Sequence, residues 1–122
     1  VIGNVEDKNP ADNLGDTPLH EAASEGEFDI CKLILQNVDN KNPSNLKGRT
    51  PLHDAASCGH LEICKLILQN VDDNNPSNMN GRTPLHDAAH SGHLEIYKCI
   101  AENLEDKNPA LNNGETALQP LQ

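Results

Sequence analysis

Two kinds of apolar pattern alternate along the chain. The longer kind is clearest from Leu61 onward, where Leu61, Ile63, Cys64, Leu66, Ile67 and Leu68 are apolar while Glu62, Lys65 and Gln69 are left for solvent. So broad a face exceeds the single stripe of an isolated surface helix, and it predicts a helix with neighbours on more than one side. The shorter kind is the trio Leu19, Ala22 and Ala23. It falls on one face of a short helix, and its alanines let a second helix approach closely.

Punctuation marks the boundaries of these elements. Thr17, Thr50 and Thr83 precede the short helices, where a hydroxyl can accept from an orphan amide. Pro18, Pro51 and Pro84 follow at the helical position whose N–H would have had no partner anyway. Gly26, Gly59 and Gly92 break the chain between the short and the long helix. After each long helix, segments such as NVDNKNPSNLKG are rich in Asn, Pro and Gly and predict a turned hairpin leading to the next unit. Asn37, Asn70 and Asn103 stand where a left-handed helix cap is expected.

The whole pattern recurs. Thr17, Thr50, Thr83 and Thr116 are spaced by 33 residues, as are Asn4, Asn37, Asn70 and Asn103. A catalytic site needs one arrangement of unlike groups, whereas like groups repeated at a fixed period build a surface by stacking. The period, the blocks TPLHEA, TPLHDA and TPLHDA, and the following GHLEI block together resemble the ankyrin repeat family over nearly every residue.

The resemblance implies an all-α fold, an α-solenoid of helix-turn-helix units joined by β-hairpin loops and stacked into a curved slab. Its divisions are the tail and hairpin of a preceding repeat at 1–14, repeats at 15–47, 48–80 and 81–113, and the start of a truncated or degenerate repeat at 114–122. In the last of these, Ala117 and Gln119 depart from the motif and Pro120 interrupts helix propagation. Val1 and Ile2 align with Ile34 and Leu35, the end of a long helix. A piece of a longer array is therefore expected, with apolar end faces able to associate end to end.

Charge and composition narrow the partners. The 122 residues carry nine basic and nineteen acidic side chains, a formal charge of -10 that disfavours a nucleic-acid partner. No apolar run approaches the roughly 20 residues that span a bilayer, so no membrane partner is expected. Cys31 and Cys64 share one register position that Tyr97 fills in the next repeat, which argues against disulfides and for an intracellular setting, cytoplasmic or nuclear.

Isolated chemical features reduce to structure. His20, His53 and His86 repeat beside their own Thr, and the resemblance implies that they bond that Thr and the hairpin backbone. His60 with Cys64, and His90 with His93, have spacings compatible with zinc, but Cys64 lies on an apolar face and the pairs belong to different repeats. Cys31, Cys64 and Cys99 are expected buried and Cys58 exposed. Asn9, Asn42, Asn75 and Asn108 occupy the place where ankyrin domains can be hydroxylated. Lys8, Lys41, Asn74 and Lys107 precede them instead of an aliphatic residue, so they read as turn residues. No catalytic, cofactor-binding or metal residue is assigned.

Positions that break the repetition are where a specific surface can be written. At the hairpin tips these are Asn13, Leu46 and Met79, then Leu14, Lys47 and Asn80, then Asp16, Arg49 and Arg82. On the short helices they are Glu21, Asp54 and Asp87, then Ser24, Ser57 and His90. In the ankyrin family these places line a concave groove. Leu46 and Met79 are the expected anchors, flanked by Arg49 and Arg82, with Glu21, Asp54 and Asp87 as an acidic row. The function expected is non-enzymatic binding of a protein or peptide with basic residues. The alternatives are a regulatory or substrate-recruiting segment of a larger enzyme, or an engineered scaffold. The second is disfavoured by Phe28, Tyr97 and Cys99, which depart from regularity at expected core positions.

Overall fold

The computed structural model describes residues 7–107. Thr116, Asn108, Val1 and Ile2, and the division at 114–122, lie outside the described residues. Six helices follow one another: α1 (Pro18–Glu25), α2 (Phe28–Asn37), α3 (Pro51–Cys58), α4 (Leu61–Leu68), α5 (Pro84–Ser91) and α6 (Leu94–Lys107). The short helices α1, α3 and α5 pack in a row, α2, α4 and α6 pack in a second row, and each short helix packs on the long helix that follows it. This is the all-α repeat solenoid that the pattern predicts.

Each short helix begins and ends in the same way. The Thr17, Thr50 and Thr83 side chains accept from the amides of His20, His53 and His86, with Pro in the first turn. At the other end Gly26 adopts φ 82°, a left-handed conformation that costs a side chain little only when there is none. A Cβ at Gly26 would also meet the His60 ring at 2.7 Å, because the next repeat packs against this cap.

The asparagines after the long helices behave differently from the expectation. Among the described residues only glycines have positive φ. Asn37 instead donates Nδ2 to the Leu33 carbonyl at 2.7 Å, and Asn70 does the same to Leu66 at 2.8 Å. The side-chain amide thus serves the orphan carbonyl directly, and the chain leaves α2 through an extended Val38. Asn103 lies within α6. The hairpin loops contain no regular strand among the described residues; each closes through backbone bonding across its tip, as from Asn45 N to Arg49 O at 2.9 Å and from Asn78 N to Arg82 O at 2.7 Å.

The core lies between the two helical rows, with Leu19, Leu35, Leu52, Ile67, Leu85 and Ile100 fully buried. Cys31 and Cys64 join it. Cys99 is only half-buried and Phe28 is exposed, contrary to the core places expected for them. Phe28 opens α2 at the rim, as the exposed Leu94 opens α6. The face of α2 is less covered than its counterparts. Ile30 is 50 % exposed, whereas Ile63 and Ile96 at the same register are 2 % exposed, since α2 packs on α4 and α4 on α6.

Candidate interaction surface

The loop tips are built by one acceptor per repeat. Asn45 Oδ1 accepts from Lys47 N at 2.9 Å and Arg49 N at 3.0 Å, and Asn78 Oδ1 accepts from Asn80 N at 2.8 Å and Arg82 N at 3.0 Å. Asp12 does the same for Leu14 and Asp16. A short side chain that serves two amides closes the turn without a strand. Adjacent tips are then joined by backbone bonds, Leu46 N to Leu14 O at 3.0 Å and Met79 N to Lys47 O at 3.0 Å. Leu14, Leu46 and Met79 all point out into solvent.

Histidines hold these tips to the helices. Thr50 N donates to His53 Nδ1 at 3.0 Å, which leaves the ring proton on Nε2 to be donated to Arg82 O, also at 3.0 Å. His20 makes the equivalent bonds, accepting from Thr17 N at 3.0 Å and donating to Arg49 O at 2.8 Å. Each ring therefore bonds its own helix cap and the tip of the following repeat. Burial holds the His53 pKa below its ordinary 6.5, against the opposing pull of the Arg82 carbonyl.

Between the first two repeats, the tips and the helices α1 and α3 enclose an open cleft of about 400 Å³. Eight of the surface positions singled out above, Leu14, Asp16, Glu21, Ser24, Leu46, Lys47, Arg49 and Asp54, line it together. His20, Glu25 and Asn45 complete the wall. Ser57, Met79, Asn80, Arg82, Asp87 and His90 lie outside it.

The charges in this region are not equivalent. Arg49 pairs with Asp54 at 3.4 Å and reaches into the next repeat to Asp87 at 2.9 Å. Arg82 approaches the same Asp87 carboxylate at 3.6 Å. Asp87 is only 7 % exposed, so one end of the acidic row is a buried carboxylate held by two guanidinium groups. Burial raises the Asp54 pKa, with Arg49 pulling it back down. Asp16 accepts from Asn45 Nδ2 at 2.8 Å. Glu21 and Glu25 are exposed, and neither has an ion pair among the described residues.

Glu25, and the turn acceptors Asp12, Asn45 and Asn78, were not singled out by the sequence. The acceptors had a legible signal, an Asp or Asn recurring at the repeat period three residues before the tip glycine. The side chains considered for zinc are already occupied or apart. His60 Nε2 donates to Ser24 O at 3.0 Å, and Cys64 is buried with its thiol pKa pushed up to about 12. Among the described residues no group of three or more His, Cys, Asp or Glu gathers to hold a metal ion. No helix among them is long and apolar enough to cross a membrane.

The family profile for ankyrin repeats (3 copies) matches residues 1–76, and that for ankyrin repeats (many copies) matches residues 52–101. The chain belongs to the ankyrin repeat family. Ankyrin repeats are a general protein–protein interaction module, so this solenoid is a scaffold for a protein partner. A search of curated proteins found no match to the chain. The ankyrin units here are α1 with α2, α3 with α4 and α5 with α6, each joined to the next through a glycine-closed tip.

Proposed function

We propose that this ankyrin array is a non-enzymatic docking module that binds a protein or peptide through its loop tips and short helices, and that the partner carries basic residues. The observation that carries this reading is the cleft between the first two repeats, which gathers Asp16, Glu21, Leu46, Lys47, Arg49 and Asp54 around one opening. Ser57, Met79 and Asn80 of the second repeat and Arg82 and His90 of the third extend the surface, and Asp87 supports it from below. The formal charge of -10 favours encounter with a cationic partner. Free cysteines without a disulfide suit a reducing, intracellular setting. The same surface serves whether the array stands alone or recruits a substrate for a catalytic domain.

The test is affinity capture with the chain as bait, followed by identification of bound proteins and repetition with two variants. Leu46→Ala with Met79→Ala truncates exposed tips and should leave the melting curve unchanged while the captured partner is lost. Lys65→Glu, on the opposite helical row, should leave capture intact. Normal capture by the tip variant, with loss of capture by a folded Lys65→Glu protein, would move the interface to the other face.

A further inference from the structure

We infer that the cleft between the first two repeats takes a short extended peptide carrying one bulky apolar side chain with a Lys or Arg close beside it. This rests on the docking surface proposed above and specifies its occupant. Size argues for a segment of chain: about 400 Å³ is near the lower end of small-ligand pockets, room for a few side chains and not for the face of a folded domain.

The apolar part of the recognition is at the tips. The bond from Leu46 N to Leu14 O holds the two tips side by side, and both leucines are exposed at the rim of the cleft. Two adjacent unburied leucines on a fixed backbone offer an apolar side chain a place to be desolvated without reordering the protein. The third repeat lacks this pairing, since Met79 N bonds the carbonyl of Lys47.

The charged part follows from which groups are already engaged. Arg49 is held by Asp54 and Asp87, so it stands in the wall as a neutralised group. That leaves the carboxylates of Asp16, Glu21 and Glu25 facing a single lining ammonium that has no ion pair among the described residues, Lys47. Glu21 and Glu25 are one helical turn apart on α1, a spacing that lets one guanidinium or ammonium lie between two carboxylates. An acidic peptide would meet net repulsion at the same place.

A phage-displayed library of random dodecapeptides, selected on the immobilised chain, tests this directly. Enriched peptides are then synthesised with a fluorophore and titrated against the chain, Glu21→Lys with Glu25→Lys, and Leu14→Ser with Leu46→Ser, after melts establish that each variant is folded. The expected outcome is enrichment of an apolar residue within a few positions of Lys or Arg. Each variant should then weaken binding by about tenfold or more, and the wild-type affinity should fall with added salt. Enrichment of acidic or uncharged peptides that still lose binding in the leucine variant overturns the proposed chemistry and leaves the docking surface standing. Peptides indifferent to both variants overturn the cleft itself. A library yielding no binder overturns the extended-peptide occupant and leaves a folded partner for the same surface.

Discussion

His53→Ala isolates the bond that ties one repeat to the next. The ring is fully buried and serves two backbone groups, accepting from Thr50 N at 3.0 Å and donating to Arg82 O at 3.0 Å. Alanine leaves both without that partner, the Thr50 amide in a buried setting and the Arg82 carbonyl in a partly buried one. At about 1–3 kcal/mol for each buried unsatisfied group, the loss comes to roughly 2–6 kcal/mol. That is a large part of the roughly 5–15 kcal/mol available to a small domain.

His86 provides the comparison within the same molecule. It makes the same local bond, accepting from Thr83 N at 3.0 Å, but the side chain is exposed, so water can replace what alanine removes. His86→Ala should cost only about 0.5–1.5 kcal/mol. Urea unfolding followed by far-ultraviolet circular dichroism at pH 8 reads both values. The dependence on pH gives a second measure. Because the folded pKa of His53 lies below 6.5, the unfolded chain binds the extra proton first as pH falls. The stability due to this neutral ring is therefore fully present above pH 6.5 and is lost as pH drops below 6.5 towards the folded pKa. His53→Ala should flatten that slope. A His53→Ala protein within about 0.5 kcal/mol of wild type, or no less stable than His86→Ala, would refute the role assigned to the ring.

Thiol labelling of the folded chain should modify exposed Cys58 first and half-buried Cys99 next, with Cys31 and Cys64 reacting only on unfolding, since burial pushes their thiols to about 11 and about 12. Comparable rates at all four in a folded sample would contradict the packing. Arg49→Glu places a carboxylate against Asp54 and Asp87 and should destabilise by about 1–3 kcal/mol, discounted because the guanidinium is partly exposed. Lys47→Glu at the exposed tip should stay within about 0.5 kcal/mol, so equal melts for the two variants would remove Arg49 from its structural role. Gly26→Ala and Gly92→Ala both force alanine to positive φ, at about 1–2 kcal/mol each. Gly26→Ala should cost more, because its new Cβ would displace the His60 ring from Ser24 O, while nothing described lies within 4 Å of that point at Gly92; the order of the two melting temperatures decides this.

Much of the fold was legible because the signals that set it are local. Thr, Pro and Gly act within a few residues of where they stand, and so the caps of α1, α3 and α5 could be read directly. Asn37 departs from the expectation because a helix end can be closed by a left-handed backbone or by a side-chain amide, and an asparagine can supply either. The partial burial of Cys99 and the exposure of Phe28 depend on how the helical rows end, which register alone does not give. At the candidate surface, the sequence placed Arg49 and Asp87 together in the groove but gave no sign that they pair. Yet Asp87 is the equivalent of Asp54 one repeat later, so the 38-residue contact is the local Arg49 to Asp54 offset carried across one period. Repeat arithmetic applied to charges, as well as to apolar residues, would have revealed it.

The division between scaffold and surface has an energetic basis in the repeats themselves. Leu19, Leu52 and Leu85 occupy one register position, are fully buried, and are the same residue in all three units. Changing any of them would leave a cavity costing about 2–5 kcal/mol, and that cost recurs at every interface along the array. Asn13, Leu46 and Met79 also share one register position, but they are exposed and all different. Exchange there costs within about 0.5 kcal/mol. The backbone beneath Leu46 and Met79 is meanwhile fixed by turn bonds and by histidines that do not vary. The tips therefore combine freedom of side chain with rigidity of position, the combination that a recognition surface needs, and this is why the proposed partner contacts are placed at Leu46 and its neighbours and not on the repeating face of the helices.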